Sequence, residues 1–199
     1  MSRAINQIRF TLLGFCLLGL CLLLVACGNL PPAPTDHFYR LQPVNLPPVA
    51  HKLPAAFAVQ TFRADSLYAE RPIIFTEQAS LRQLRQYHYH LWLYPPAQMV
   101  QEHLVASMGN TIAWRGGSQA PDVLQGRILK FERVVSGSSS KAVVAIELRL
   151  ERAADNLLTR TYEAEQPASD ESIGTFVVAM EQALGKIYAQ FQADIAQIR

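Results

Sequence analysis

Cysteine is scarce in this chain and badly placed for chemistry. Its three cysteines, Cys16, Cys21 and Cys27, all fall within the first 27 of 199 residues. Everything after them must hold together by packing alone, without a disulfide, a thiolate metal site or a cysteine nucleophile. A phosphate-binding Gly-x-x-x-x-Gly-Lys-Ser/Thr string is missing, which excludes nucleotide hydrolysis by that loop. So is a Gly-x-Ser-x-Gly elbow. Ser138-x-x-Lys141 matches one catalytic string, but it sits in a Ser-rich turn and the companion Ser-Asp-Asn and Lys-Thr-Gly motifs are absent. Charge of one sign is lacking too. With 18 Lys+Arg against 16 Asp+Glu and no basic helix face, nothing draws the chain to nucleic acid.

What is present begins at the N-terminus. Arg3 and Arg9 precede an apolar run from Thr11 to Ala26, which ends in Leu24-Val25-Ala26-Cys27. Small or apolar residues leading into a cysteine mark the end of a secretory signal at a lipoprotein cleavage site, with the cut between Ala26 and Cys27. Cys16 and Cys21 follow Phe15 and Leu20, which are too bulky for that cleavage. Residues 1–26 are therefore read as a signal peptide and Cys27 as the lipidated residue. A retained short anchor is the competing reading; the run of 16 residues falls short of the ~20 that span a bilayer core. Cleavage also removes Arg3 and Arg9, so the remaining chain is formally neutral. Palmitate-type chains on Cys27 add about 0.8 kcal/mol per buried methylene, and two or more hold a protein almost permanently. Gly28 follows the cysteine where Asp would retain the protein at the inner membrane, so the expected site is the outer membrane, facing the periplasm.

Residues 27–35 form an acylated tether. Pro31, Pro32 and Pro34 favour an extended conformation at about 3.1 Å per residue, for a reach of about 25 Å. Residues 36–199 are expected to form one domain of α/β (α+β) class, a mixed, mostly antiparallel sheet with two main helices packed on it. The alternation predicts strands at His37–Gln42, Ala56–Phe62 (with Phe57, Val59 and Thr61 on one face) and Arg71–Phe75, then a strand or hairpin over Leu81–Trp92. Pro95-Pro96 opens a helix over Ala97–Met108 that Gly109 stops. Thr111–Trp114 reads as a short strand before an Arg115–Ser118 turn. Asp122–Val135 and Lys141–Arg152 read as a hairpin around 136–140, with Ala142, Val144, Ile146, Leu148 and Leu150 pointing inward. Leu157–Gln166 adds a further strand.

The closing helix is the clearest element. Ser169 reads as its N-cap, with Asp170 and Glu171 in the first turn. Ile173, Phe176, Val177, Met180, Leu184, Ile187, Tyr188, Phe191, Ile195 and Ile198 fall on one stripe, the core side. Gly185, Ala189, Ala193 and Ala196 leave a low-charge face elsewhere, suited either to solvent or to a second copy in a homo-oligomer. Tyr87, Tyr89, Trp92 and Tyr94 form a cluster read either as core or as a partner or lipid surface, since amphipathic rings suit a boundary between apolar and wet. His88, His90 and His103 could be pictured around zinc or copper, but no carboxylate or thiolate signature accompanies them. No metal, cofactor or catalytic residue is expected.

The order of these features resembles the auxiliary lipoproteins of ABC-type lipid transport systems, the group that includes the paraquat-inducible lipoproteins. The resemblance rests on the cleavage site at Cys27, the Phe38-Tyr39-Arg40-Leu41 strand, Arg71-Pro72-Ile73-Ile74, and Leu91-Trp92 with Pro95 leading into a helix that ends near Met108. A late hairpin and a closing amphipathic helix complete it. Pro96 departs from the pattern, which has an apolar residue there. The resemblance implies a non-enzymatic outer-membrane lipoprotein. Its partners would be an MCE-domain protein and its ABC transporter, and its task phospholipid movement across the envelope. The competing expectation is an outer-membrane lipoprotein that regulates a peptidoglycan synthase or supports an envelope assembly machine.

Overall fold

The longest alternations in the sequence become the longest strands. In the computed structural model, which describes residues 33–48, 57–109, 122–153 and 155–198, β6 (Val123–Ser136) and β7 (Ser139–Arg152) form a hairpin. The turn between them is only Gly137-Ser138, shorter than the Ser-rich run suggests, and Gly137 takes the left-handed φ of 57° that glycine tolerates. All five inward residues of β7 are buried. Strand β8 (Asp155–Pro167) pairs antiparallel with β7 and forms one edge of the sheet.

The other half of the sheet is built along β6. The expected strand at Ala56–Phe62 is instead broken into β2 (Ala58–Val59) and β3 (Arg63–Ala64), both parallel to β6. The reason is that the Phe62 N–H donates to the Gln101 side chain at 3.2 Å rather than to a strand neighbour. Phe57 and Phe62 are buried while Thr61 faces out. Gly126 makes room for Phe62, since a Cβ there would lie 2.5 Å from its ring. After a 3-10 turn at Ser66–Ala69, β4 (Pro72–Glu77) resumes the same parallel track along β6. Strand β5 (Arg85–Trp92) returns antiparallel to β4, so residues 81–92 supply a single strand, whose hairpin partner is the preceding β4, with Leu81 and Leu84 exposed in the turn between them. Strand β1 (His37–Tyr39) lies parallel to β5 at the far edge. The mixed eight-stranded sheet runs β1-β5-β4-β6-β7-β8, with β2 and β3 also on β6.

Among the described residues two helices pack on the sheet. Helix α1 (Pro96–Met108) starts with Pro96 in its first turn, where a missing N–H costs nothing, and stops at Gly109 with φ of 60°. Helix α2 (Ile173–Ile195) carries the predicted stripe: Phe176, Val177, Met180, Leu184, Ile187, Tyr188, Phe191 and Ile195 are buried. Its N-cap is Ser172 and not Ser169. The Ser172 hydroxyl accepts from the Thr175 N–H at 3.2 Å, and Asp170 lies before the helix, accepting from the Ser172 N–H at 2.7 Å and the Thr175 hydroxyl at 2.8 Å. That N–H bond holds the Asp170 carboxyl below its usual range. Aromatic rings tie the layers together: Trp92 sits 5.2 Å from Phe131 and 6.1 Å from Phe176, and Phe191 meets Phe57 edge-on at 6.2 Å. The expected Thr111–Trp114 strand and Arg115–Ser118 turn lie outside the described residues.

Candidate functional site

The β1 edge of the sheet concentrates the side chains that the core does not use. Its geometry starts from an irregularity in β5: between the pairs Pro72–Leu91 and Ile74–Gln86, β4 advances two residues and β5 five. The bulge resets the alternation. Tyr87 and His90, which a regular strand would point to opposite faces, meet with ring centroids 5.5 Å apart. The Tyr39 hydroxyl lies 2.9 Å from His90 Nδ1, and His37 stacks on the same imidazole at 5.3 Å. Tyr87 packs on Phe75 at 4.4 Å and accepts a hydrogen bond of 2.9 Å from Arg133. Arg133 is only 5% exposed, donates also to the Glu171 carbonyl at 2.6 Å, and has no carboxylate bonded to it among the described residues. This buried guanidinium ties β6 to β5 and to the start of α2. Burial, then the nearby charges of His37 and Arg133, pushes the His90 pKa below its ordinary value.

The structure divides the four-ring cluster seen in the sequence. Trp92 is 1% exposed and belongs to the core, because it closes over Phe131 and Phe176; its assignment to a surface is corrected. Tyr87 is half-buried, while Tyr89 and Tyr94 are exposed. Sequence reasoning missed Arg133, Tyr39 and His37. Only Arg133 left a signal, as one of two adjacent charges, Glu132 and Arg133, set between Phe131 and Val134 in a strand.

The three histidines are also separated. His88 is exposed, His90 joins the Tyr39 cluster, and His103 is buried elsewhere. His103 Nε2 donates to the Gln42 carbonyl at 2.8 Å, and Nδ1 lies 3.1 Å from the Tyr188 hydroxyl. It thus joins the segment after β1 to α1 and α2. Among the described residues no three His, Cys, Asp or Glu side chains are grouped for a metal. Ser138 is exposed in its turn, and Lys141 pairs with Glu165. A groove of about 330 Å³ opens beside His103, lined by Arg40, Leu41, Leu93, Tyr94, Met99 and Glu102 among others.

Burial lowers the His103 pKa to about 4 from the ordinary 6.5, although the bond to the Gln42 carbonyl opposes the shift. The unfolded chain therefore binds more protons than the folded one between these values. Stability from this residue is complete above about pH 6.5, falls as pH drops through the window, and levels off below about pH 4. The shift corresponds to roughly 3 kcal/mol. His103→Gln keeps a donor for the Gln42 carbonyl and is expected to flatten this stretch of the stability curve. Urea unfolding of both proteins across the window checks it, and an unchanged slope would show that His103 does not titrate as stated.

The face around Gly185 is partly taken within the chain. Val44 lies against it, so close that a Cβ on Gly185 would be 3.1 Å from the Val44 methyl. Gln42 and Val44 fix that segment by donating backbone N–H bonds to Glu181 at 2.6 Å and Ser107 at 3.1 Å. The low-charge face expected to be open for a second copy is therefore reduced. Ala189 and Ala196 are half-buried and Ala193 is exposed. Ala26 and Cys27 lie outside the described residues.

An open mixed sheet with two helices and an aromatic, arginine-bearing edge defines an α+β body. The particular family follows from comparison. The chain belongs to the ABC-type transport auxiliary lipoprotein components, whose family model matches residues 33–192. It is thus a membrane-associated lipoprotein serving an ABC-type transport system. Its fold is similar to that of protein XCC0632 from Xanthomonas campestris, of family DUF330, with a TM-score of 0.67 and 19% identity over 78% of this chain and 92% of that one. A second solved structure, of an uncharacterized protein, has a TM-score of 0.66 and 18% identity over 81% of this chain and 99% of that one. No curated protein matches the chain significantly. Among the described residues no helix is long and apolar enough to cross a membrane.

Proposed function

We propose that this protein is the outer-membrane lipoprotein of an ABC/MCE-type lipid transport system. In this reading it is acylated on Cys27, faces the periplasm, and docks the MCE-domain protein of the inner-membrane transporter as phospholipid crosses the envelope. The observation that carries the proposal is the family match over residues 33–192, joined to the cleavage motif Leu24-Val25-Ala26-Cys27. The tether reaches about 25 Å and a body of this size is about 40 Å across. A protein held at one membrane falls well short of the other, so the partner must come to it. The role is one of docking, without a chemical step.

Crosslinking the acylated protein in native envelopes, followed by pull-down and mass spectrometry, tests this. The expected result is recovery of an MCE protein with its ABC subunits. A peptidoglycan synthase recovered without any transporter component would overturn it.

A further inference from the structure

Four exposed apolar side chains lie together at the β1–β5 edge, whereas Leu81, Leu84, Val105 and Val178 are exposed at scattered places on the β4–β5 turn and the two helices. Phe38 on β1, Tyr89 on β5, and Leu93 and Tyr94 just after β5 are 51%, 45%, 38% and 46% exposed. All belong to the one sheet edge formed by β1 and β5. Cations accompany them. The Arg71 guanidinium lies 5.1 Å from the centre of the Phe38 ring, and Arg40 lines the groove that includes Leu93 and Tyr94. Neither arginine forms an ion pair among the described residues. Chain length adds a constraint. His37 opens β1 ten residues after Cys27, which bounds their separation at roughly 35 Å. The opposite edge, β8, stands five strand spacings away, about 24 Å further.

We propose that the β1–β5 edge rests on the same membrane that holds Cys27. Phe38, Tyr89, Leu93 and Tyr94 enter the headgroup region, and Arg40 and Arg71 meet lipid phosphates. Amphipathic rings favour that boundary, and arginine favours phosphate oxygens. The sheet then stands edge-on to the bilayer, with β8 on the aqueous side. This inference rests on the acylation of Cys27 proposed above, and deepens it from a point of attachment to an orientation.

Because the acylated chain keeps no free thiol, a single introduced cysteine can be spin-labelled cleanly. His88→Cys reports on the β5 edge and Glu163→Cys on β8, each in acylated protein on vesicles of phosphatidylcholine and phosphatidylglycerol at three to one. Collision with a water-soluble nickel chelate is expected to be severalfold lower at position 88 than at 163. In the Phe38→Ser, Tyr89→Ser, Tyr94→Ser triple variant, still vesicle-bound through its acyl chains, position 88 is expected to become as exposed as 163. Equal exposure at the two positions in the unmodified edge, or an edge unmoved by the triple variant, would overturn the orientation. Failure of acylation shows separately, since neither labelled protein would then float with the vesicles.

Discussion

Cys27→Ala is expected to carry no fatty acid, to leave the membrane fraction and to abolish lipid transport by the system. The magnitude follows from chain chemistry. At about 0.8 kcal/mol per buried methylene, one acyl chain gives reversible binding, whereas two or more make release negligible on any relevant timescale. The described residues contain no helix long and apolar enough to cross a membrane in their place. Alanine at position 27 also removes the sulfur on which the cleavage motif depends, so the leader is expected to stay attached. Its 16-residue run from Thr11 to Ala26 is shorter than the ~20 residues that span a bilayer. Fatty-acid labelling, membrane fractionation and a transport assay read the three effects together. Full transport by the unacylated chain would sink the docking model, and a functional variant that still sediments with membranes would identify the run itself as the anchor.

Trp92→Ala is expected to destabilise the body by about 3–5 kcal/mol. The indole is 1% exposed between Phe131 and Phe176, at the junction of β5, β6 and the first turns of α2. Removing it deletes the transfer energy of a large ring and leaves a cavity that two aromatic neighbours cannot close. For a domain of this size the melting temperature should fall by roughly 6–20 °C. Tyr94→Ser, two residues on and 46% exposed, is expected to change stability by less than about 0.5 kcal/mol. Calorimetry on the pair decides whether the Tyr–Trp cluster is one surface or two environments; equal small losses would place Trp92 outside the core.

These two residues mark how far pattern alone reaches. Ala142, Val144, Ile146, Leu148 and Leu150 bury as a period of two requires, with Ala145 buried on the other face as the one exception, and the stripe from Phe176 to Ile195 buries by its helical period on α2. Such elements are legible because one period governs their whole length, so burial follows from position. Phe57 and Phe62 are five residues apart, a spacing no strand period explains, and both become buried because the chain leaves β6 between them. The Ser172 cap illustrates a local choice. Ser169 and Ser172 are equally suitable by type, and Asp170 decides between them by bonding to the Ser172 N–H.

The sequence by itself determined the cleavage motif, the β6–β7 hairpin and the core stripe of α2, each of which depends on residues near one another in the chain, and the family resemblance, which depends on the order of such local motifs along it. Tertiary structure alone decided that His90 joins Tyr39 and Tyr87, that His103 instead binds the Gln42 carbonyl, that Arg133 is buried beneath the edge, and that Val44 covers Gly185. The physical reason is that a bulge in β5 shifts which side chains share a face, and partners 46 to 61 residues apart meet only when strands are brought together in register.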